Sequence, residues 1–526
     1  MLKLHHGNNL ETLLAALLSH IEQPLSHPFA AETILVQSQG MARWLSYHIA
    51  EQQGVAANID YPFPASFVWK VYQETLPDIP DTTGYEKSAL IWQVVSLLPH
   101  FIEHPAFTSL ARYLSDDKSQ RKHFQLACKI ADIFDQYLVY RPKWMLEWET
   151  TDIDHWQAIL WKAIASQNPS GNRAQMLHAF LDHAKAGSLN TNTLPERISI
   201  FGISALPPMM LDAFAQLSDI IEVNIYLFNP CLSYWGDIRS QRDIARFRSL
   251  RQKHGNNANV EYYATGNPLL ASMGKLGQDY LELLHNYPHE EYELFSAPQS
   301  TELLGSVQAD ILLLMDRTQP LAASESPDKT LIAPDDVSIQ IHVCHSKVRE
   351  IEALHDQLLN LLSRNPELHP KDIVIMAPGV EDYADTIEAV FSSVSSAQKI
   401  PWSIADRSAY TQHGMIQAFF QLLTLPDKRF ENSDILSLLE IPCIQQRFNL
   451  TEPAIDGIRQ WVRESGIRWG LDNEHLQELD LPCNIQNTWQ FGLERLLLGY
   501  SMPPEDQLFS GIAPFPGIEG QEVANL

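Results

Sequence analysis

Residues 33–69 read TILVQSQGMARWLSYHIAEQQGVAANIDYPFPASFVW, and the fold turns on how this stretch is read. Ile34, Leu35 and Val36 form an apolar run suited to a buried strand, and Gln37, Ser38, Gln39 and Gly40 break it with polar, turn-prone residues. Met41, Leu45 and Ile49 then recur every fourth residue, the spacing of one apolar helix face, with Arg43 directed elsewhere. In an open α/β sheet the carboxyl end of a strand and the first turn of the next helix border the crevice where ligands sit. Gln37, Gln39 and Arg43 are therefore placed to touch a ligand. Downstream, Tyr61, Phe63, Phe67 and Trp69 add rings between two stiffening prolines. Rings that stack on bases and amides that bond their edges suit single-stranded nucleic acid. The same residues also suit a plain strand–turn–helix whose rings are core.

A chain of 526 residues with 45% apolar composition predicts several globular domains. A formal net charge of −27 argues against a general basic surface that coats duplex DNA, but leaves room for a local groove. The five cysteines lie far apart without a C-x-x-C pair, so neither a disulfide framework nor a zinc module is indicated. No stretch reads as a cleavable signal or a membrane span, and the expectation is a soluble cytoplasmic protein.

Residues 1–6 predict a strand, and Leu10, Leu13, Leu14, Leu17 and Leu18 a helix after Gly7, Asn8 and Asn9. A phosphate loop at this turn would read G-x-x-x-x-G-K-[ST], but Gly7 stands without the second glycine or the lysine. From about residue 72 to 186 the spacing is helical. Leu126, Ile130, Phe134 and Leu138 line one face of a helix on which Asp132, Asp135 and Gln136 share another. Such a face is commonly only solvated; alternatively its carboxylates accept hydrogen bonds from base amino groups and repel misplaced phosphate. Arg141 and Arg173 could then hold the backbone.

A strand over residues 198–201, a Pro-containing turn and a helix follow, then a strand over 221–228. The first of these would end in Asp-Glu in a helicase-type ATPase, to hold magnesium; here Gly202 and Ile203 follow it. Residues 296–336 read as a linker carrying a helix near Val307–Met315. Beyond it the strings SIQIHVCHS, DIVIMAP and IPWSIAD predict three strands, with helices over 347–362 and 382–391 and a helical remainder from Met415. His342, Cys344 and His345 sit on one of these strands too close together for a metal cage.

Eight strings in one order, VQSQGMARWL, NIDYPFPASFVW, DQYLVYRPKW, FGISALPP, NPCLSYWGDI, GNPLLASMGKLG, IPWSIADRSA and SGIRWGLD, resemble the RecC family, the gamma subunits of the bacterial exodeoxyribonuclease V complex RecBCD. The resemblance runs over nearly the whole chain. It implies an α/β fold of superfamily 1 helicase-like, RecA-like lobes without ATPase motifs and with large helical insertions. The expected domains are a first helicase-like domain over 1–295 (sheet lobe 1–71 and 187–295, helical insertion 72–186), a linker over 296–336, and the start of a second helicase-like domain over 337–526. A RecA-like lobe needs about five parallel strands to cover both faces, more than the sequence offers after residue 336. Residue 526 is thus expected not to be a natural domain end.

The implied function is that of a DNA-binding, non-catalytic subunit in double-strand break repair by homologous recombination. It splits duplex ends, threads the strands, and recognises Chi in the 3′-ended strand. The implied partners are RecB and RecD, double-stranded DNA ends and single-stranded DNA. No cofactor is implied for this chain, ATP and magnesium being used by the partner subunits. The family's scanning positions carry over to Gln37, Gln39, Arg43, Phe63, Trp69, Asp132, Ile133, Asp135, Gln136, Arg141 and Arg173. Four of these depart from the family pattern: Gln39 stands for Thr, Arg43 for Gln, Phe63 for Leu and Ile133 for Leu, which bears on the DNA sequence read. Rival readings are an autonomous helicase or nuclease, which needs a phosphate loop or a metal-binding carboxylate set, and an all-helical protein-binding scaffold, which the strand-to-helix units oppose.

The purified chain is expected not to hydrolyse ATP, with or without DNA, because neither motif position carries the lysine or carboxylate that phosphoryl transfer needs. A phosphate-release assay checks this; DNA-stimulated turnover belonging to the chain would overturn it.

Overall fold

The computed structural model describes the chain except residues 78, 80–82, 118, 169–170, 254–264, 299–301, 318–330, 405–412, 503–507 and 517–526. It divides into two compact units, Met1–Gln340 and Ile341–Leu526. Among the described residues, no helix is long and apolar enough to cross a membrane.

The first unit is mixed α/β around a six-stranded sheet ordered β3-β2-β4-β5-β1-β6, and every pairing is parallel. The strands are β1 (Leu2–Gly7), β2 (Glu32–Leu35), β3 (Ile59–Asp60), β4 (Arg197–Phe201), β5 (Glu222–Phe228) and β6 (His289–Glu293). The sequence reading missed β3 and β6. The first has only two residues, and the second, HEEYE, is a charged edge strand without an apolar face. Charges on an edge strand discourage pairing with another chain, so composition there conceals the strand.

Central strands of a parallel sheet are covered on both faces. Ile34 and Val36 pack with α1 (Leu10–Ile21) and α2 (Gln39–Gln53) on one side. Leu35, Ile198, Ile200, Val223 and Ile225 face the other, where α3 (Pro64–Thr75), α9 (Arg173–Lys185), α10 (Pro208–Leu217), α12 (Pro268–Met273) and α13 (Lys275–His285) cover them. Asn9 caps α1 by accepting from Thr12 N, and Ser38 caps α2 by accepting from Met41 N. Helix α2 therefore starts at Gln39, inside the stretch that reads as a turn. Gly54 ends it in the left-handed region, φ +83°.

Between β3 and β4 the chain is helical: α4 (Lys87–Phe101), α5 (Thr108–Leu114), α6 (Arg121–Tyr140), α7 (Pro142–Thr150) and α8 (Trp156–Gln167) lead to α9. This block has its own core, in which Phe134, Leu138, Leu160 and Trp161 are fully buried. Ile130 is buried with them and Leu126 only partly, close to the face expected for this helix.

Helices α11 (Gln241–Lys253) and α14 (Leu303–Leu312) complete the unit. The latter falls where the sequence suggests a linker, and it is docked: Leu312 O accepts from Leu232 N at 3.0 Å, and Asp336 Oδ2 from Leu303 N at 2.6 Å.

The three strands expected after residue 336 are not formed among the described residues; Ala405 and Asp406 of the third lie outside them. SIQIHVCHS and DIVIMAP carry strand-like patterns, but no described residue takes their backbone groups in a ladder. Their apolar side chains meet solvent, with Val343 at 94% and Met376 at 89% exposure. Alternation marks a strand only where a partner strand and a core are available. The second unit consists of helices, including Lys347–Arg364, Ala384–Ser392, Gly414–Thr424 and Glu452–Ser465, around small clusters such as Ile351, Leu358, Phe391 and Ile400.

One buried ion pair fixes the centre of the sheet. Arg197, first in β4, donates from Nε and Nη2 to the carboxylate of Glu32, first in β2, at 2.8–3.2 Å, and both side chains are 7% exposed. Arg197 Nη2 also donates to Gln23 O at 2.8 Å. Removing one partner strands the other charge, which costs about 3–5 kcal/mol. Glu32→Ala is thus expected to lower the denaturant midpoint of the first unit and to raise hydrogen exchange in β2 and β4. Replacing both partners with leucine and methionine is expected to restore most of the loss.

Candidate nucleic-acid interface

Strands β2 and β4 are neighbours, yet the chain leaves β2 towards β3 and leaves β4 towards β5, in opposite directions. Such a switch point opens a crevice at the carboxyl ends of the strands. Gln37, Ser38, Gln39 and Gly40 are exposed there. On the facing loop, Ser204 Oγ donates to Gln37 Oε1 at 3.4 Å. Gly202 makes that approach possible: its φ is +63°, and a Cβ there would lie 3.3 Å from the Met41 Cε methyl. Arg43 is exposed one turn into α2 and engages no partner among the described residues.

The Asp60–Pro64 turn is held beside this crevice because Val36 N donates to Pro62 O at 3.3 Å. Pro64 opens α3 at N1, leaving Phe63 exposed at the N-cap. The four rings of this stretch then separate. Phe67 is core, stacked on Phe214 with centroids 6.4 Å apart, and Tyr61 is half-buried with its hydroxyl accepting from Ser46 at 3.2 Å. Phe63 and Trp69 remain accessible, six residues apart along α3, or about 9 Å of helix rise.

Trp69 lines a cavity of about 320 Å³ with Ser66, Glu86, Val139, Arg173 and Met210. Arg173 is placed by a capping box: Asn172, fully buried, accepts from Ala174 N and Gln175 N, while Gln175 Oε1 accepts from Asn172 N. From N1 of α9 Arg173 pairs with Asp135 of α6 at 3.3 Å. One turn earlier Asp132 accepts from Lys87 of α4, and Gln136 donates to it at 3.2 Å. The Lys87 ammonium holds the Asp132 carboxyl below the usual carboxylate range. These acidic groups are thus oriented acceptors held by cations.

Trp69, Arg173, Asp135, Asp132 and Gln136 consequently form one contiguous group, while Gln37, Gln39, Arg43 and Phe63 form another at the switch point. Helix α3 joins the two. Ile133 is half-buried and does not line the cavity. Arg141 stands apart, donating to Tyr140 O at 3.0 Å with its guanidinium 5.6 Å from the Trp144 ring centre. Sequence reasoning missed Ser204, Lys87, Glu86 and Met210. Ser204 follows the strand beside β2 and could have been found from the strand order; Lys87 lies 45 residues from Asp132, and no local spacing announces it. His342, Cys344 and His345 enter no metal-competent group among the described residues.

Asp135 and Arg173 are both partly exposed, and such a pair is worth about 0.2–1 kcal/mol. A double-mutant cycle with Asp135→Ala and Arg173→Ala is expected to give a coupling energy inside that range by denaturant unfolding. These variants therefore report on ligand contact without unfolding the bundle; a coupling of several kcal/mol would contradict the geometry.

The family described as "RecC, N-terminal domain" matches residues 2–314, and the one described as "RecBCD enzyme subunit RecC fourth domain" matches residues 412–526. The chain is similar to the RecBCD enzyme subunit RecC of Escherichia coli, 40% identical over 555 residues that cover 99% of this chain and 50% of the relative. The subunit of the same name in Haemophilus influenzae is 33% identical over 592 residues, covering 100% of this chain and 51% of the relative. That of Mycobacterium tuberculosis is 28% identical over 544 residues, covering 96% and 47%. The chain spans about half the length of the curated relatives it matches.

Proposed function

The chain belongs to the RecC family, and on that premise we propose that it is a DNA-binding, non-catalytic subunit of the RecBCD helicase/nuclease, acting with RecB and RecD in the cytoplasm in double-strand break repair by recombination. It splits duplex ends, threads the strands, and reads the 3′-ended single strand for a Chi sequence. Its first unit is a helicase-like lobe adapted to hold DNA. The observation that carries this reading is the gathering at one switch point of two exposed amides, Gln37 and Gln39, an arginine without a partner among the described residues and an accessible ring, joined through α3 to the Trp69 cavity and the acids of α6.

The turn after β1 supports the non-catalytic part. Asn9 is engaged as a helix cap, and Asn8 exchanges two hydrogen bonds with Ser296, at 2.8 and 2.9 Å. Gly7 packs so closely that a Cβ would lie 2.4 Å from Leu294 O. The Asn8 and Asn9 side chains are thus engaged with protein, and Gly7 is closely packed, where a phosphate loop would cradle nucleotide. ATP and magnesium chemistry is accordingly assigned to the partner subunits.

Specificity is set at the start of α2. Gln39 offers both donors and an acceptor, and Arg43 is a donor-only fork suited to guanine O6 and N7. A complex whose RecC subunit carries these residues is expected to respond to a different Chi-like octamer from one with Thr and Gln there. The test maps where degradation of linear duplexes carrying candidate octamers is attenuated, and repeats it with Gln39→Thr and Arg43→Gln. The preferred octamer is expected to change, since a bidentate contact carries about 1–3 kcal/mol of discrimination. An unchanged octamer with a salt slope shallower by about 0.7 would make Arg43 a phosphate contact instead.

A further inference from the structure

The far edge of the same sheet carries chemistry that the DNA reading does not use. Strand β6 pairs with β1 in the register Leu2↔His289, Leu4↔Glu291 and His6↔Glu293. Alternate residues of a strand share a face, so His289, Glu291 and Glu293 project together, beside His6. Helix α13 ends at His285, which returns over them: the two rings have centroids 5.5 Å apart.

Hydrogen bonding decides the tautomers. His285 Nδ1 lies 2.8 Å from Leu281 O and His289 Nδ1 2.7 Å from Tyr287 O. A carbonyl oxygen only accepts, so each Nδ1 carries the proton and each neutral ring presents the Nε2 lone pair. Both lone pairs converge on one oxygen: Glu291 Oε1 is 2.9 Å from His289 Nε2 and 3.6 Å from His285 Nε2. The three ligand atoms lie within 4.8 Å of one another. A proton on His289 Nε2 would serve only the His289–Glu291 contact and leave His285 Nε2, 3.6 Å away, outside hydrogen-bond reach, whereas a cation between the three acceptors would engage them all. Charging both rings would set two imidazolium ions side by side, whereas one divalent ion serves all three groups. Imidazoles anchored through Nδ1–H on backbone carbonyls are also the usual arrangement of histidine ligands.

A second observation is independent of these ligands. His6 is 7% exposed, and its Nε2 has no hydrogen-bond partner. Its Nδ1 faces Asn229 Nδ2 at 3.2 Å, and Asn229 is oriented by the Trp235 indole N–H, which donates to Asn229 Oδ1 at 2.9 Å. Asn229 thus donates to His6 Nδ1, so the unpartnered Nε2 bears a proton. A His6 ring nitrogen and the carboxylate oxygens of Glu291 and Glu293 lie within 4.8 Å of one another. The buried ring thus lies beside the carboxylate that would carry the ion.

We infer that His285, His289 and Glu291 form a binding site for a divalent transition-metal ion of the zinc class, with His6 as the positioning residue for Glu291. Bonds of about 2.0–2.1 Å in a tetrahedron separate ligands by about 3.3 Å, and the 2.9 and 3.6 Å found here bracket that value. Two imidazoles and one carboxylate suit zinc, cobalt or nickel better than magnesium or calcium. His285 and Glu291 are partly exposed, so the fourth position faces solvent. The ion ties the end of α13 to the edge strand.

The chain, stripped of metal with a chelator, is titrated with Zn²⁺ by calorimetry and with Co²⁺ by visible absorption, beside His285→Ala, Glu291→Gln and His6→Phe. The wild type is expected to take up one more equivalent than His285→Ala, with the intense d–d bands of low-coordinate cobalt. Glu291→Gln is expected to bind at least 10-fold more weakly, and His6→Phe about 10-fold more weakly with the band shape kept. His285 lies on the surface, and an unchanged melting temperature of its metal-free variant separates ligand loss from unfolding. Equal uptake by wild type and His285→Ala, or octahedral-type cobalt spectra in both, overturns the assignment and leaves His289 and Glu291 as an ion pair.

Discussion

The Glu32–Arg197 pair sets the register on which the candidate interface depends. It joins the first residues of β2 and β4, and the ladder then runs Thr33↔Ile198, Ile34↔Ser199 and Leu35↔Ile200. Continuing the count brings the residues just beyond the strands to the same level, so that Gln37 meets the Gly202–Ser204 turn. A slip of one residue would exchange the two faces of β2 and break the ion pair. Ile34 and Val36 would lose the α1–α2 side, and Leu35 the side covered by α3 and α10. Apolar burial makes the slip costly, but it does so for any strand buried on both faces. The charged pair distinguishes this alignment from its neighbours, because a misaligned Arg197 would lose both the carboxylate and the Gln23 carbonyl. The crevice is therefore positioned from the opposite end of the strands.

Helix α3 carries that placement into the helical block. Its buried face, Phe67, Val68, Val71 and Tyr72, lies on the sheet core, which fixes its rotation and leaves Phe63 and Trp69 accessible. The block has a separate core, and α6 contributes Ile130, Phe134 and Leu138 to it. This burial turns Asp132, Asp135 and Gln136 outwards. Helix α9 belongs to both cores, through Ala174 on one side and Phe180 on the other, so Arg173 is fixed with respect to both. The two groups of candidate residues are thus related through packed helices rather than flexible loops.

What could be read beforehand follows from the range over which each determinant acts. Strand β2, helix α2 and the apolar face of α6 were legible because periodicity is local. The start of α2 at Gln39 was not, since a Ser38 cap looks like a turn residue until the next amides are seen to use it. Strand β6 was hidden because an edge strand made of His289, Glu290, Glu291, Tyr292 and Glu293 has no apolar signature. The error in the second unit is of the opposite kind. Val343 and Met376 stand in patterns that suit a strand, but pairing is a property of neighbours and is not encoded in the segment itself. Among the site residues, types and elements were legible, but not their ion pairs: the lysine on Asp132 and the arginine on Asp135 come from other helices.

Those pairs bear on how a chain of net charge −27 could accept a polyanion at all. Unpaired, Asp132 and Asp135 would repel phosphate along the exposed face of α6. Held by Lys87 and Arg173, each contributes little net field, yet keeps carboxylate lone pairs in a set orientation, available to a donor such as a base amino group. At the switch point the balance differs, since Arg43 has no compensating acid among the described residues and Gln37 and Gln39 carry no charge. Arg43 thus places an uncompensated cation on α2 while the acids of α6 are paired, and Glu86 adds a negative group to the wall near Trp69. A strand lying across both regions would find its backbone favoured at the α2 end and its bases favoured towards Trp69. On the proposed reading, that orientation would come from the arrangement of a few charges and rings, and an acidic protein would need no general basic face to present a local surface for single-stranded DNA.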